Sequence, residues 1–260
     1  VLRPAAYCGV VGVKPTHGAI PVDGVIPLAW SLDHVGAFAR SVADAALILG
    51  VLMARELHPV APRAPRLAVA GELLARCEPA TAAQVQAVAD RLARAGASVV
   101  EMKLPASFAD LAEAGRLVLE AEAATYHEES WRAHGGEYGR EMGALVQAGL
   151  ALPATAYVRA NRARLRFRDE VLPLLAAADA LLAPTAPAPA PAGLGWTGDA
   201  SLCAPWTWAG VPAITLPSGL ADNGLPHAVQ LVAAAGEEQR LLDAAQFCEE
   251  VLGFTSAPSL

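Results

Sequence analysis

Lysine is nearly missing from this sequence. Lys14 and Lys103 are the only two in 260 residues, and arginine supplies the rest of the 19 basic side chains. Against 26 acids this leaves a formal net charge of -7. A broad nucleic-acid surface needs clustered positive charge and is excluded on that balance. Cysteine is sparse too. Cys8, Cys77, Cys203 and Cys248 lie far apart with no Cys-x-x-Cys pair, so the spacing writes neither a disulfide framework nor a zinc site. They read as buried thiols. No apolar run reaches about 18 residues, which leaves no candidate membrane-spanning helix. The first residues form a mixed segment around Arg3, unlike a signal peptide, so a cytoplasmic protein is expected. What fills the space is alanine, which lifts the hydrophobic fraction to 54% against 17% charged and favours helix. A lysine-poor, alanine-rich chain hints at a GC-rich bacterial source.

The usual motifs of self-contained catalysis are absent as well. There is no G-x-S-x-G elbow, no H-E-x-x-H, no P-loop and no G-x-G-x-x-G. Six scattered histidines nominate no triad, although a triad is set by geometry and not by order. His34 beside Asp33 reads as a packing or hydrogen-bonding residue. No metal and no cofactor are expected.

The pattern that is present reads as one α/β domain over residues 1–260. Ser41 caps a helix from Val42 to Met53, and a loop with Pro59, Pro62 and Pro65 follows. Arg66–Ala70 reads as a short buried strand. Thr81 is expected to cap a helix carrying Val85, Val88, Ala89 and Leu92, which Gly96 ends. Ser98–Met102 completes a βαβ unit, hence parallel strands under a helix. From Phe108 to Leu175 the pattern is helical, broken at Gly135-Gly136 and Pro153. Asp179–Ala183 reads as a strand that leads into a proline run from Pro184 to Pro191. That run is expected to stay out of the sheet, as an extended surface crossing. Ala213–Leu216 and Ala228–Val232 read as strands, and Glu237–Leu252 as a closing helix. Arg159, Arg162 and Arg166 share a helical face, read as solvated and paired with acids such as Asp169 and Glu170.

The two ends are the most informative. Gly9, Gly12 and Gly18 interleave with Val10, Val11 and Val13 before Lys14-Pro15, as in a loop feeding a strand beside a site. Pro205-Trp206-Thr207-Trp208 ahead of Gly210-Val211-Pro212 is either a pocket wall or a buried corner.

Both ends resemble the amidase signature family. The resemblance is carried by Arg3-Pro4-Ala5-Ala6-Tyr7-Cys8-Gly9, Gly12-Val13-Lys14-Pro15-Thr16, Ser31-Leu32-Asp33-His34-Val35-Gly36, Pro205-Trp206-Thr207 with Gly210-Val211-Pro212-Ala213, and Gly224-Leu225-Pro226 with Gln230-Leu231-Val232. It is weakest from about Phe108 to Leu175. Membership implies a three-layer α/β/α sandwich around a mixed, mostly parallel sheet. It also implies hydrolysis of a carboxylic acid amide through a Ser–cis-Ser–Lys triad without metal or cofactor. By the S-x-x-R-P-A spacing the nucleophile falls immediately before Val1; by the S-x-R spacing it falls on Val1, which cannot attack. The lysine and the middle serine lie further upstream, and Lys14 belongs to a different block. The sequence thus reads as the C-terminal part of one amidase-signature domain, holding none of the three catalytic residues and inactive alone.

What remains are site walls. Arg3 binds a substrate carboxylate or holds the loop through an acid such as Asp33. Tyr7 and Cys8 pack beneath the nucleophile loop. Asp33 is buried against Arg3 or backbone N–H groups. Trp206 and Thr207 shape the acyl or leaving-group pocket. The expected partner is a small-molecule amide, with a homodimer as a further candidate and neither nucleic acid nor membrane. Two alternatives stay open: a non-catalytic binding or assembly module, and a glutamine-dependent aminoacyl-tRNA transamidation subunit with an obligate partner.

Overall fold

A computed structural model describes residues 1–60 and 63–256; Pro62 of the proline-rich loop lies outside them. A short helix α1 (Leu2–Tyr7) precedes β1 (Val11–Lys14), β2 (Ala37–Ala39) and α2 (Val42–Leu52). The βαβ unit follows as β3 (Arg66–Val69), a one-turn α3 (Gly71–Leu74), α4 (Pro79–Arg94) and β4 (Ser98–Glu101). A helical layer of α5 (Leu111–His134), α6 (Arg140–Leu150) and α7 (Ala154–Ala176) leads into β5 (Ala180–Pro184). Last come α8 (Ala204–Trp208), β6 (Ala213–Leu220), β7 (Pro226–Val232) and α9 (Glu238–Leu252).

The strands form one seven-stranded sheet in the order β2-β1-β6-β7-β5-β3-β4. Side-chain alternation divides its faces. Leu67, Ala180 and Leu182 lie on the face covered by α4 and α9, in one buried cluster with Val88 and Leu241, and Leu49 of α2 joins the same cluster. Ala68, Leu181 and Ala183 face the opposite layer, with Phe167, Leu175 and Trp206. Burying each large aliphatic side chain contributes about 1.5–3 kcal/mol, so the two clusters hold the three layers together.

The three-layer architecture and the mixed sheet are as expected, but the parallel majority is not. Only β3 pairs in parallel, with β4 and with β5. The other four pairings are antiparallel. The reason is local: β6 and β7 are joined by a short turn as a hairpin, and such a link reverses direction.

Three smaller expectations also change. Ser41 accepts from the Asp44 N–H as the cap of α2, yet Thr81 caps nothing. Pro79 opens α4, after Glu78, and Thr81 is buried within the first turn. Proline suits a first helical position because its fixed φ is helical and its missing N–H is not needed there. The proline run, in turn, begins inside the sheet: Pro184 is the last residue of β5 and pairs with Val229. It is tolerated because β3 pairs only as far as Leu182, so no ladder donor is lost on that side. Lastly, Cys248 is buried and Cys77 and Cys203 partly so, but Cys8 at the end of α1 is exposed.

Candidate active site

The polar side chains converge where β1 ends. All four residues of β1 are buried, so Lys14 is carried into the interior with only 4% exposure. Its ammonium donates to the carbonyls of Val211 and Pro15. It forms no ion pair among the described residues. Burial pushes its pKa down to about 7, against the opposing pull of Cys203 and Glu238. The next residues are fastened from two sides. Thr16 N–H donates to Glu238 Oε1 at 2.9 Å, Gly236 N–H donates to Thr16 Oγ1 at 2.8 Å, and His17 N–H donates to Gly210 O at 3.0 Å.

Two imidazoles sit beside Lys14. His34 Nδ1 donates to Leu32 O at 2.6 Å, which leaves the Nε2 lone pair facing inward without a partner among the described residues. Burial, and next the Lys14 charge, hold its pKa near 3, so the ring is neutral at ordinary pH. His17 meets it edge-on at 5.1 Å between ring centroids and donates from Nε2 to Trp30 O.

The loop that carries His34 is bolted to the helical layer. Glu122 of α5, only 5% exposed, accepts from Ser31 N–H at 2.9 Å, Ser31 Oγ at 2.8 Å and the Tyr157 hydroxyl at 3.0 Å. Arg164 of α7 donates to Ser31 O and Trp208 O, both at 3.3 Å, and to Asn161 Oδ1 at 3.2 Å. It joins the loop to α8. Gly115 of α5 makes the crossing close enough, because a Cβ there would lie 2.1 Å from the Trp208 ring.

The side chains singled out from sequence fall into separate places. Arg3 donates to Gly198 O at 2.8 Å and to Thr197 Oγ1 at 3.1 Å. It therefore holds a loop, but not through Asp33. Tyr7 lies half-buried against the same loop: a Cβ on Gly198 would sit 2.3 Å from its hydroxyl, and Gly198 has φ +86°. Burial raises the Tyr7 pKa. Cys8 is exposed. Asp33 Oδ2 accepts from the backbone N–H of Leu28 and Ala29 at 2.8 and 3.0 Å, the second of its two expected partners. Trp206 is fully buried beside Phe167 and Thr207 is half-buried on α8. The structure brings Arg3 and Tyr7 together on Gly198.

Glu122, Tyr157 and Arg164 join the site without any motif to mark them. Glu122 alone carries a signal in the sequence. It continues the buried stripe Leu111, Gly115 and Val118 at helical spacing, and an acid in such a stripe needs partners. Among the described residues no group of His, Cys, Asp and Glu is arranged to hold a metal ion, and no helix is long and apolar enough to cross a membrane.

A three-layer α/β fold with buried polar side chains gathered at the end of β1 is the class defined so far. The chain belongs to the amidase family, whose model matches residues 1–242. It is 32% identical to a putative amidase, AmiD, of Mycobacterium bovis, over 96% of this chain and 58% of that protein. It is 28% identical to a glutamyl-tRNA(Gln) amidotransferase subunit from a Synechococcus species, over 96% of this chain and 61% of the relative. A crystal structure of an amidase superposes with a TM-score of 0.91 at 29% identity, covering 97% of this chain and 61% of that one. The chain thus spans about three fifths of the length of the relatives it matches.

Proposed function

We propose that the protein carrying this chain is a cytoplasmic amidase that hydrolyses a carboxylic acid amide through a Ser–cis-Ser–Lys triad. In this reading the three catalytic residues precede Val1, the chain supplies the site's walls, and residues 1–260 alone are inactive. The carrying observation is the packing of the first turn of α1. Val1 packs against Gly36, 3.1 Å from where its Cβ would be, and Val1 O accepts from Ala5 N–H at 3.2 Å. In this reading a serine preceding it lies on the side of the buried Lys14 and His34.

The surface of α2 supports the same reading. One face is core, yet Leu47, Ile48, Val51 and Leu52 on the other are exposed, next to Phe38 on the edge strand β2. A helix apolar on all sides is normally covered, and preceding residues of the same domain fit that role. A homodimer through this face is the competing cover.

The relatives named as amidotransferase subunits favour a second reading, a transamidation component with an obligate partner. Net acidity and the pairing of Arg166 with Glu170 weigh against a transfer-RNA surface on α7.

The test compares the longer natural polypeptide with residues 1–260 on a panel of primary amides, following ammonia release. Activity in the longer protein is expected, falling at least about 1,000-fold when the serine before Val1 becomes alanine. Hydrolysis by residues 1–260 alone, or by the serine variant at the parent rate, sinks the triad assignment. Inactivity of both chains with cooperative unfolding of the shorter one supports the binding module instead.

A further inference from the structure

Beside α8 lies a cavity of about 280 Å³ whose lining has a consistent chemistry. Its walls are the faces of Phe108, Leu111, Pro205 and Trp208, opened by the small side chains of Ala200 and Ala204. Ala204 and Trp208 lie four residues apart on one side of α8, and Ala200 precedes the helix. Two of the walls are rigid. Trp208 is pressed onto α5 at Gly115, and residues 197–199 are held by Arg3.

The cavity carries two charges, and they are not equivalent. Asp199 is engaged: its Oδ1 accepts from Ser201 N–H at 2.7 Å. Arg76 is exposed, and its guanidinium makes no hydrogen bond or ion pair among the described residues. Its guanidinium carbon lies 4.5 Å from the centre of the Phe108 ring. That contact orients the planar fork over an aromatic wall and leaves its donors for a ligand. A guanidinium is suited to a carboxylate, which it can meet with two parallel hydrogen bonds. Flat apolar walls with an unengaged cation at one end describe an organic anion with a ring. The volume falls just under the range of about 300–1,000 Å³ for drug-sized ligands, so one ring is the appropriate size.

We infer that this cavity binds a small aromatic carboxylate, with the ring against Trp208 and Pro205 and the carboxylate on Arg76, which Phe108 backs. The assignment does not rest on the amidase reading, because equilibrium binding tests it without turnover. Calorimetric titration of the intact protein with phenylacetate is expected to saturate at one site. Phenylacetone, which lacks the charge and has no amide to hydrolyse, and acetate, which lacks the ring, should each bind at least about tenfold more weakly. Arg76→Ala should weaken phenylacetate by a similar factor, with Arg76→Lys between the two. Arg76 is exposed, so the variant should keep the parent melting temperature. Ala112→Leu, which fills the rim from α5, should abolish binding. Absence of saturation in the parent protein overturns the proposal, as does equal affinity in Arg76→Ala.

Discussion

Two charges are buried at this site, Glu122 and Lys14, and they are treated oppositely. Glu122 meets three donors, from Ser31 twice and from Tyr157, with the Arg164 charge nearby. Its desolvation is offset by hydrogen bonds to the charged form, and the group acts as a fixed bolt. Lys14 meets only two carbonyls, and burial makes its charged form less stable than in water. A saturated buried charge fixes geometry; an undersupplied one responds to pH.

Removing the bolt should have the largest effect. Glu122→Ala leaves the Ser31 N–H and hydroxyl and the Tyr157 hydroxyl without an acceptor, and Arg164 without its nearby anion. A loss of about 3–5 kcal/mol is expected, read as the shift in urea unfolding free energy. Glu122→Gln keeps one oxygen but turns a donor toward the Ser31 N–H, for a loss of about 1–2 kcal/mol. A loss below about 1 kcal/mol in the alanine variant would erase the contrast with Lys14.

The pH dependence of Lys14 comes next. Its pKa is near 10.5 when unfolded and about 7 when folded. Between these values the unfolded chain binds more protons, so stability rises with pH from about 7 upward. Below that value the penalty is present in full. Buried thiols act in the opposite sense above pH 9, since Cys77 and Cys248 are pushed up to about 11 and about 12; there the folded chain binds more protons. The informative window is therefore about pH 7 to 9, where a gain of about 2 kcal/mol is expected. Lys14→Met should flatten that slope. It should also be the more stable protein at about pH 6, because a well-packed apolar group there carries no desolvation cost. An unchanged slope in Lys14→Met would place the titration elsewhere.

The same contrast explains which parts can be read from sequence. Strands β3, β4 and β5 announce themselves as short apolar runs bounded by proline or glycine. The Ser41 cap and the closing helix follow from local chemistry. Three-residue β2 and five-residue α8 are too short for any period to register. Thr81 misleads because a hydroxyl suits a cap, but Pro79 two residues earlier fits a helix start better. For the cleft, Arg3 and Asp33 are legible as residues needing partners, while the partners themselves are not. Ser31 and Glu122 are 91 positions apart, and no local pattern pairs them. Glu122 also sits in the stretch where the family resemblance is weakest, so the blocks that resemble the family do not contain the group that fixes one of them.

Arginines extend the comparison to weaker cases. Arg3 fastens residues 197–199 by two hydrogen bonds at a half-buried site. Arg3→Ala should cost about 1–2 kcal/mol, again read from urea unfolding. Arg3→Lys should recover part of it, because an ammonium can reach Gly198 O but not Thr197 Oγ1 as well. Full recovery would mean that charge and not the fork holds the loop.

Arg166 marks the lower limit. It pairs with Glu170 at 2.8 Å one helical turn away, and its side chain remains 70% exposed. Water screens the attraction, and ordering two long side chains opposes it, so such pairs contribute little. Arg166→Ala should leave the melting temperature unchanged within about 1 °C at physiological salt. Glu170 also accepts from the Ser107 hydroxyl, so it keeps a partner when the arginine is gone, and this reinforces the expectation. A drop of several degrees would show that distance from water is not what separates the bolt at Glu122 from the pairs on the surface. Number of donors would then have to carry the distinction alone, and Arg3→Ala, with two donors lost at intermediate burial, would fall out of order with it.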